Sequence, residues 1–243
     1  MMRRWRRDLA RLARRLRRGL LIGAAIAVFV SSGSVLALRW FEPPYSAVML
    51  QRLVVDGARQ RQAWVDIADM APDVPLAVIA AEDQRFAQHW GFDTDEIIAA
   101  VEQHLEGGRL RGASTISQQV ARNLFLWQGR SFLRKGLEVW FTGLIEALWS
   151  KRRILEMYLN FAETGERMFG VGMASRAYFN RDVADLSRQQ AALIAAVLPN
   201  PVVYRVDAPS AYVRERQQWI LRQMRNLGGI PYVQALLSTK AAE

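Results

Sequence analysis

The 243-residue sequence has no cysteine, only two histidines and only three lysines. Without cysteine there can be no disulfide, thiol catalysis or thiolate metal site; the absence suits an oxidising compartment without requiring one. His89 and His104 lie far apart, so a zinc site is not expected. No Gly-x-Ser-x-Gly elbow marks a serine hydrolase, although composition alone does not exclude one. Segments alternating with period two are few. No internal repeat occurs, and no low-complexity stretch beyond the arginine-rich first residues. What remains is 51% hydrophobic and 10% aromatic, enough for one large packed domain plus an accessory segment.

The formal net charge of +10 raises the question of nucleic acid, and its distribution answers it. Residues 1–18 hold nine arginines and one aspartate, a net +8, which leaves +2 for the other 225 residues. The body is nearly neutral and the basicity is a short arm that runs into an apolar segment, so no nucleic-acid partner is expected. Residues 19–38 carry no charge and are bracketed by Arg18 and Arg39. As a helix they would span about 30 Å, the thickness of a bilayer's hydrocarbon core. Arginines on the N-terminal side predict a cytoplasmic N-terminus, with Trp40, Phe41 and Tyr45 at the far interface. Ser31, Ser32 and Ser34 weaken the second half. No small-x-small cleavage site follows, so an uncleaved anchor is expected in place of a signal peptide. Everything after Arg39 would then lie outside the cytoplasm.

Glu42-Pro43-Pro44-Tyr45 reads as a stiff linker, because proline fixes φ and ends helices. Helical periodicity dominates the rest, so the fold class is mainly α. Pro75 can open a helix arriving at Glu82-Asp83. Asp93 with Glu96 predicts a capping box for a helix over Ile97 to Leu105, stopped by Gly107-Gly108. Leu133, Leu137, Trp140, Leu144 and Leu148 mark one face of a long helix. Ala191 to Leu198 reads as a buried helix ended by Pro199.

Four stretches offer chemistry. In Glu82 to Asp93, two acids end an apolar helix. A carboxylate beside aliphatic surface has its charged form desolvated, which raises its pKa and suits proton transfer; solvated acids at a helix end are the plainer reading. In Arg111 to Asn123, Ser114 is a natural N-cap. Ser114, Gln118 and Arg122 share one helix face, opposite Ile116, Val120 and Leu124. That polar stripe could hold sugar or phosphate at a helix N-terminus, or be simply solvated. In Arg130 to Glu138, Lys135 and Arg134 stand three and four residues before Glu138. They make either a surface ion pair or, through the compact lysine cation, a phosphate ligand. Lys151 to Asn160 looks structural, with Glu156 and Asn160 tying helices together.

In this order the four stretches resemble the peptidoglycan glycosyltransferases, the family that includes the polymerase half of class A penicillin-binding proteins. The matching signatures are Glu82–Gly91, Gly112–Asn123, Arg134–Glu138 and Lys151–Asn160, with a looser element over Ala191 to Pro201. One departure is Arg122, where the family usually has lysine: the charge is kept but not the geometry. No transpeptidase Ser-x-x-Lys or Lys-Thr-Gly motif follows, so the monofunctional form is expected.

The resemblance implies a lysozyme-like, two-lobed helical domain with a small apolar jaw at the membrane. The expected organisation is a basic arm at 1–18, a span at 19–38, a linker and membrane-proximal segment at 39–69 and a glycosyltransferase domain at 70–243. It implies inverting transfer from a glycan chain on undecaprenyl pyrophosphate to the 4-hydroxyl of lipid II. Glu82 would be the general base and Glu138 would orient the donor or organise the cations. Arg130, Lys135, Arg122 and Arg134 would meet the pyrophosphate. Asp83, Phe86, Ser114, Thr115, Gln118, Gln119 and Asn123 would line the substrate sites. The sequence requires no cofactor and leaves divalent-cation use open. Expected partners are lipid II, the lipid-linked glycan chain and the membrane, with cell-wall synthesis or division proteins as candidates. A lysozyme-like hydrolase would need no cation cluster for a departing pyrophosphate, and a non-enzymatic scaffold would not depend on Glu82.

Overall fold

The computed structural model describes residues 2–105, 107, 114–129 and 131–238. It divides into two compact units, residues 1–42 and 43–243. The first is a single helix, α1 (Met2–Ala37). Its stretch Arg14–Ala37 is long and apolar enough to cross a membrane. Side chains such as Leu20 and Phe29 stand exposed along it.

The second unit is mainly helical. Residues 43–69, expected as linker and membrane-proximal segment, are built into it. Helix α2 (Ala47–Asp56) is capped by Ser46, whose Oγ accepts from the Met49 N–H, and strand β1 (Arg61–Gln62) joins a small sheet. That sheet has the order β1-β3-β2. The strand β3 (Met168–Phe169) runs parallel to β1 and antiparallel to β2 (Glu163–Gly165).

Helix α3 (Asp73–Glu82) has every residue from Val74 to Ala80 buried. It starts two residues before Pro75, which the first turn tolerates because its N–H would have no partner there. Helix α3 packs against α9 (Arg188–Val197) and α10 (Ala211–Asn226). A second group joins α5 (Ile116–Phe125) to α6 (Phe132–Leu148) and α7 (Lys151–Phe161).

Two expectations are corrected in detail. Helix α4 (Thr94–Leu105) begins at Thr94 and not Ile97, and Asp93 Oδ1 accepts from the Glu96 N–H at 3.1 Å. The cap of α5 is Thr115 and not Ser114: Thr115 Oγ1 accepts from the Gln118 N–H, and Gln118 Oε1 accepts from the Thr115 N–H. This is the reciprocal box that Thr-x-x-Gln encodes, whereas Ser114 has a serine at the third place. On α6 the apolar stripe is not the buried face. Leu133 is 69% and Trp140 41% exposed, while Glu138, Thr142, Ile145 and Glu146 face inward. The inward acids have partners, Arg134 and Lys135 for Glu138 and Lys151 for Glu146, so paired polar groups occupy the face that hydrophobicity alone would have assigned elsewhere.

Candidate active site

Glu82 is the last residue of α3, where the apolar helix leaves the core. Its Oε2 accepts from Gln119 Nε2 at 3.0 Å. Its Oε1 is buried and accepts no hydrogen bond among the described residues; Arg216 Nη2 stands 3.8 Å from it. Burial pushes the Glu82 carboxyl above the ordinary glutamate value. The Gln119 hydrogen bond and the Arg216 charge oppose that rise, and neighbouring Asp83 adds to it. Glu82 lines a cavity of about 300 Å³ together with Asp83, Ser114, Thr115 and Trp219.

Asp83 follows as the cap of α3 and acts as a strut. Its Oδ2 accepts from the backbone N–H of Ile116 at 3.0 Å, and its Oδ1 lies 2.8 Å from His89 Nε2. The carboxylate thereby ties the end of α3 to the N-terminus of α5, where the helix dipole favours negative charge. Beyond it, Gly91 adopts φ +74°, and a Cβ there would meet Thr142 Cγ2 at 2.6 Å. Thr115 Oγ1 donates to the Gly91 carbonyl at 2.6 Å, so this turn is clamped between α5 and α6. Asp83, His89 and Asp93 lie close enough to suggest a metal cluster. Both Asp83 oxygens, His89 Nε2 and Asp93 Oδ1 have partners in each other, in Arg85 and in backbone N–H groups, while His89 Nδ1 is buried without a hydrogen bond among the described residues.

A second cavity, of about 340 Å³, is lined by Gln119, Arg122, Asn123, Arg134, Tyr158 and Glu163 among others. Gln119 stands between the two: its Nε2 reaches Glu82 and its Oε1 accepts from the Tyr158 hydroxyl at 3.4 Å. Arg134 Nη1 donates to Glu138 Oε2 at 3.0 Å and Lys135 Nζ to Glu138 Oε1 at 2.6 Å. Glu138 is 1% exposed with both oxygens occupied. Its two oxygens are paired with these two cations. The Arg134 side chain is 12% exposed and that of Lys135 is 51% exposed. Glu163 forms a bidentate pair with Arg52, and burial raises its carboxyl against the pull of that cation.

The structure thus brings Glu82, Ser114, Gln119, Arg122, Asn123 and Arg134 to the two cavities. Thr115 lines the first cavity with its backbone region while its hydroxyl serves the cap. Gln118 is buried in the capping box and Phe86 has no exposed surface, packed edge-on to His89 under the Lys151 ammonium. These two support the site from within and do not line it. Arg130 lies outside the described residues. Glu156 and Asn160 tie α7 to the segment at 65–67, where a short 3-10 helix (Ile67–Asp69) begins: Glu156 Oε1 accepts from Ile67 N–H, and Asn160 exchanges two bonds with Val65.

The transglycosylase family model matches residues 48–225. The chain belongs to the transglycosylase family. A biosynthetic peptidoglycan transglycosylase of Pseudomonas entomophila (strain L48) is 52% identical over 236 residues, covering 94% of this chain and 97% of the relative. The protein of the same description from Pseudomonas savastanoi pv. phaseolicola is 51% identical over 237 residues, 94% of this chain and 98% of the relative. Penicillin-binding protein 1A from Haemophilus influenzae aligns over 75% of this chain and 18% of its own, with 18% identity and a TM-score of 0.38. For a transglycosylase, the residues that sequence reasoning missed are Arg216, Trp219 and Tyr158. Arg216 and Trp219 sit on α10, outside every motif, and reach Glu82 only because α10 packs on α3. Tyr158 was inside a motif but read as core.

Proposed function

We propose that the chain polymerises lipid II into glycan strands, with Glu82 as general base. The observation that carries this reading is the state of Glu82: desolvated, fixed through one oxygen by Gln119, with its other oxygen accepting no hydrogen bond among the described residues, in a residue that lines a cavity. An acceptor sugar in that cavity would present its 4-hydroxyl to Glu82. The hydroxyl oxygen attacks the anomeric carbon of the donor, its proton passes to Glu82, and the bond from that carbon to the pyrophosphate oxygen breaks with inversion. The leaving pyrophosphate gains charge as the bond stretches, and cations already in place stabilise it without reorganising. Arg122 and Arg134 line the neighbouring cavity and are assigned to it, and Glu138 pairs with both Arg134 and the next residue, Lys135.

The raised Glu82 pKa makes it a stronger base than an ordinary carboxylate. The anchor helix puts the protein in a membrane. With the arm inside, the catalytic unit lies outside, where its exposed Phe132, Leu133, Val139 and Trp140 form the apolar jaw against the lipid that carries the substrate. A hydrolase has no use for the cation cavity, and a scaffold has no use for Glu82. The test is glycan formation by the purified protein from labelled lipid II, with glycan hydrolase digestion of the product. No polymer from lipid II, or water as the only acceptor, would overturn the reading.

A further inference from the structure

The basic arm is more than a topological signal. Residues 2–18 are helical, continuous with the membrane-crossing stretch. At about 100° per residue, Trp5, Leu9, Leu12 and Leu16 fall within an arc of roughly 60°. All nine arginines, Arg3 through Arg18, fall in the opposite half of the circumference. Simple orientation by positive charge needs no such segregation, since arginines anywhere before the span would serve. Leu16, the last residue of the apolar stripe, is 61% exposed, and Leu20 one turn on is 75% exposed. At the join stands Gly19, where a Cβ would meet nothing within 4 Å. No packing calls for glycine there, and it is the poorest helix former after proline, so helix propensity is low where the arm meets the span, as it is again at Gly23 and Gly33.

We propose that residues 2–18 are a second membrane contact: an interfacial amphipathic segment that binds anionic phospholipid headgroups at the leaflet where the span begins. The helix leans over at Gly19, the arginines meet the headgroup phosphates, and Trp5, Leu9, Leu12 and Leu16 enter the headgroup–acyl boundary. Two observations select this occupant. The charge complements an anionic surface and nothing else in reach, because the arm ends within one residue of the uncharged span. The apolar stripe, with a tryptophan near its start, suits a bilayer interface and has no use on a nucleic-acid backbone. The proposal rests on the span crossing a bilayer, as read above.

The absence of cysteine permits a clean test with the full chain in nanodiscs. Leu9→Cys and Arg11→Cys place one environment-sensitive thiol label on the apolar and the basic side respectively. In phosphatidylcholine nanodiscs containing phosphatidylglycerol, the position 9 label should shift to the blue and resist aqueous iodide, while the position 11 label stays accessible. The contrast should shrink in pure phosphatidylcholine and in molar salt, where the Debye length falls to about 3 Å. Replacing Arg3, Arg4, Arg6, Arg7 and Arg11 by glutamine should weaken the association, by roughly fivefold per arginine, and leave polymerisation in detergent unchanged. Equal quenching of both labels in anionic nanodiscs would overturn the proposal, as would tight duplex DNA binding by the protein in neutral nanodiscs. Nanodiscs expose both leaflets, so sidedness does not enter this result. Failure of the span itself would show separately, as protein not retained in the discs.

Discussion

Replacing Glu82 by glutamine removes a proton acceptor while keeping the shape of the side chain. Gln119 Nε2 can still donate to the new amide oxygen, as it does to Oε2 at 3.0 Å. The chemical step loses its base, and general-base catalysis contributes about 10²- to 10⁴-fold. The barrier should therefore rise by about 3–5 kcal/mol, at about 1.4 kcal/mol per tenfold. Stability should move the other way. Burial raises the Glu82 pKa, so the folded state holds that proton more tightly than the unfolded chain does. For a carboxyl with a raised pKa, the folded state is favoured below the unfolded value, and that advantage is lost as pH rises through the folded value. Above it the wild type keeps a desolvated carboxylate that the glutamine variant lacks. Glu82→Gln should melt level with wild type at pH 4. At pH 8 it should melt level or higher, by no more than about 1–2 kcal/mol, the usual trade of stability against function. The assay is polymerisation of labelled lipid II in a membrane mimic, with melts at both pH values. A variant that melts normally and polymerises within threefold of wild type would refute the assignment of Glu82.

Arg216 opposes the rise in the Glu82 pKa from 3.8 Å, so Arg216→Met should move the acidic limb of the pH–rate profile to higher pH; an unmoved limb would show that the cation is only structural. Arg134→Ala should slow polymerisation more than Lys135→Ala, because Arg134 is the less exposed and lines the cation cavity; single-turnover rates decide, and the reverse order would sink this placement of the leaving group. Asp83→Ala should cost about 2–3 kcal/mol of stability, since it leaves His89 Nε2 and the Ile116 N–H buried without their hydrogen-bond partner; a melt within 1 kcal/mol of wild type would refute the strut. Tyr158→Phe should lower kcat with KM unchanged and cost about 1 kcal/mol of stability, as expected for a hydroxyl that fixes the Gln119 amide; a change in KM alone would contradict it.

Local grammar made much of this fold legible. The apolar run into Glu82, the Gly-bounded loop to Asp93 and the long helix after Ser131 all follow from caps and periodicity, and they stand where expected. The slip from Thr115 to Ser114 came from reading a cap on one residue and not on the pair: Gln118, three positions after Thr115, carried the answer in the sequence. The inward face of α6 lay beyond that grammar. Hydrophobic periodicity assigns a face to the interior only when water is the alternative. A helix that leaves Phe132 99% exposed has a different neighbour in view, and its interior is then free to hold Glu138 and Glu146 with their cations.

Arg216 was not legible at all, for a reason that bears on how the site works. Its position is set by α10 packing on α3, about 130 residues away in sequence, and no local pattern encodes such a distance. Yet it sits closer to the free oxygen of Glu82 than any other described cation. The chemistry of the base is therefore divided between two sources. The motif supplies the carboxylate, its amide partner and the strut that aims them. The tertiary fold supplies a charge that, after the Gln119 hydrogen bond, opposes the rise of the Glu82 pKa. Desolvation favours the protonated form, which cannot accept a proton, whereas full pairing favours an ionised but weakly basic carboxylate. A cation held at 3.8 Å, beyond hydrogen-bond reach, lies between those limits.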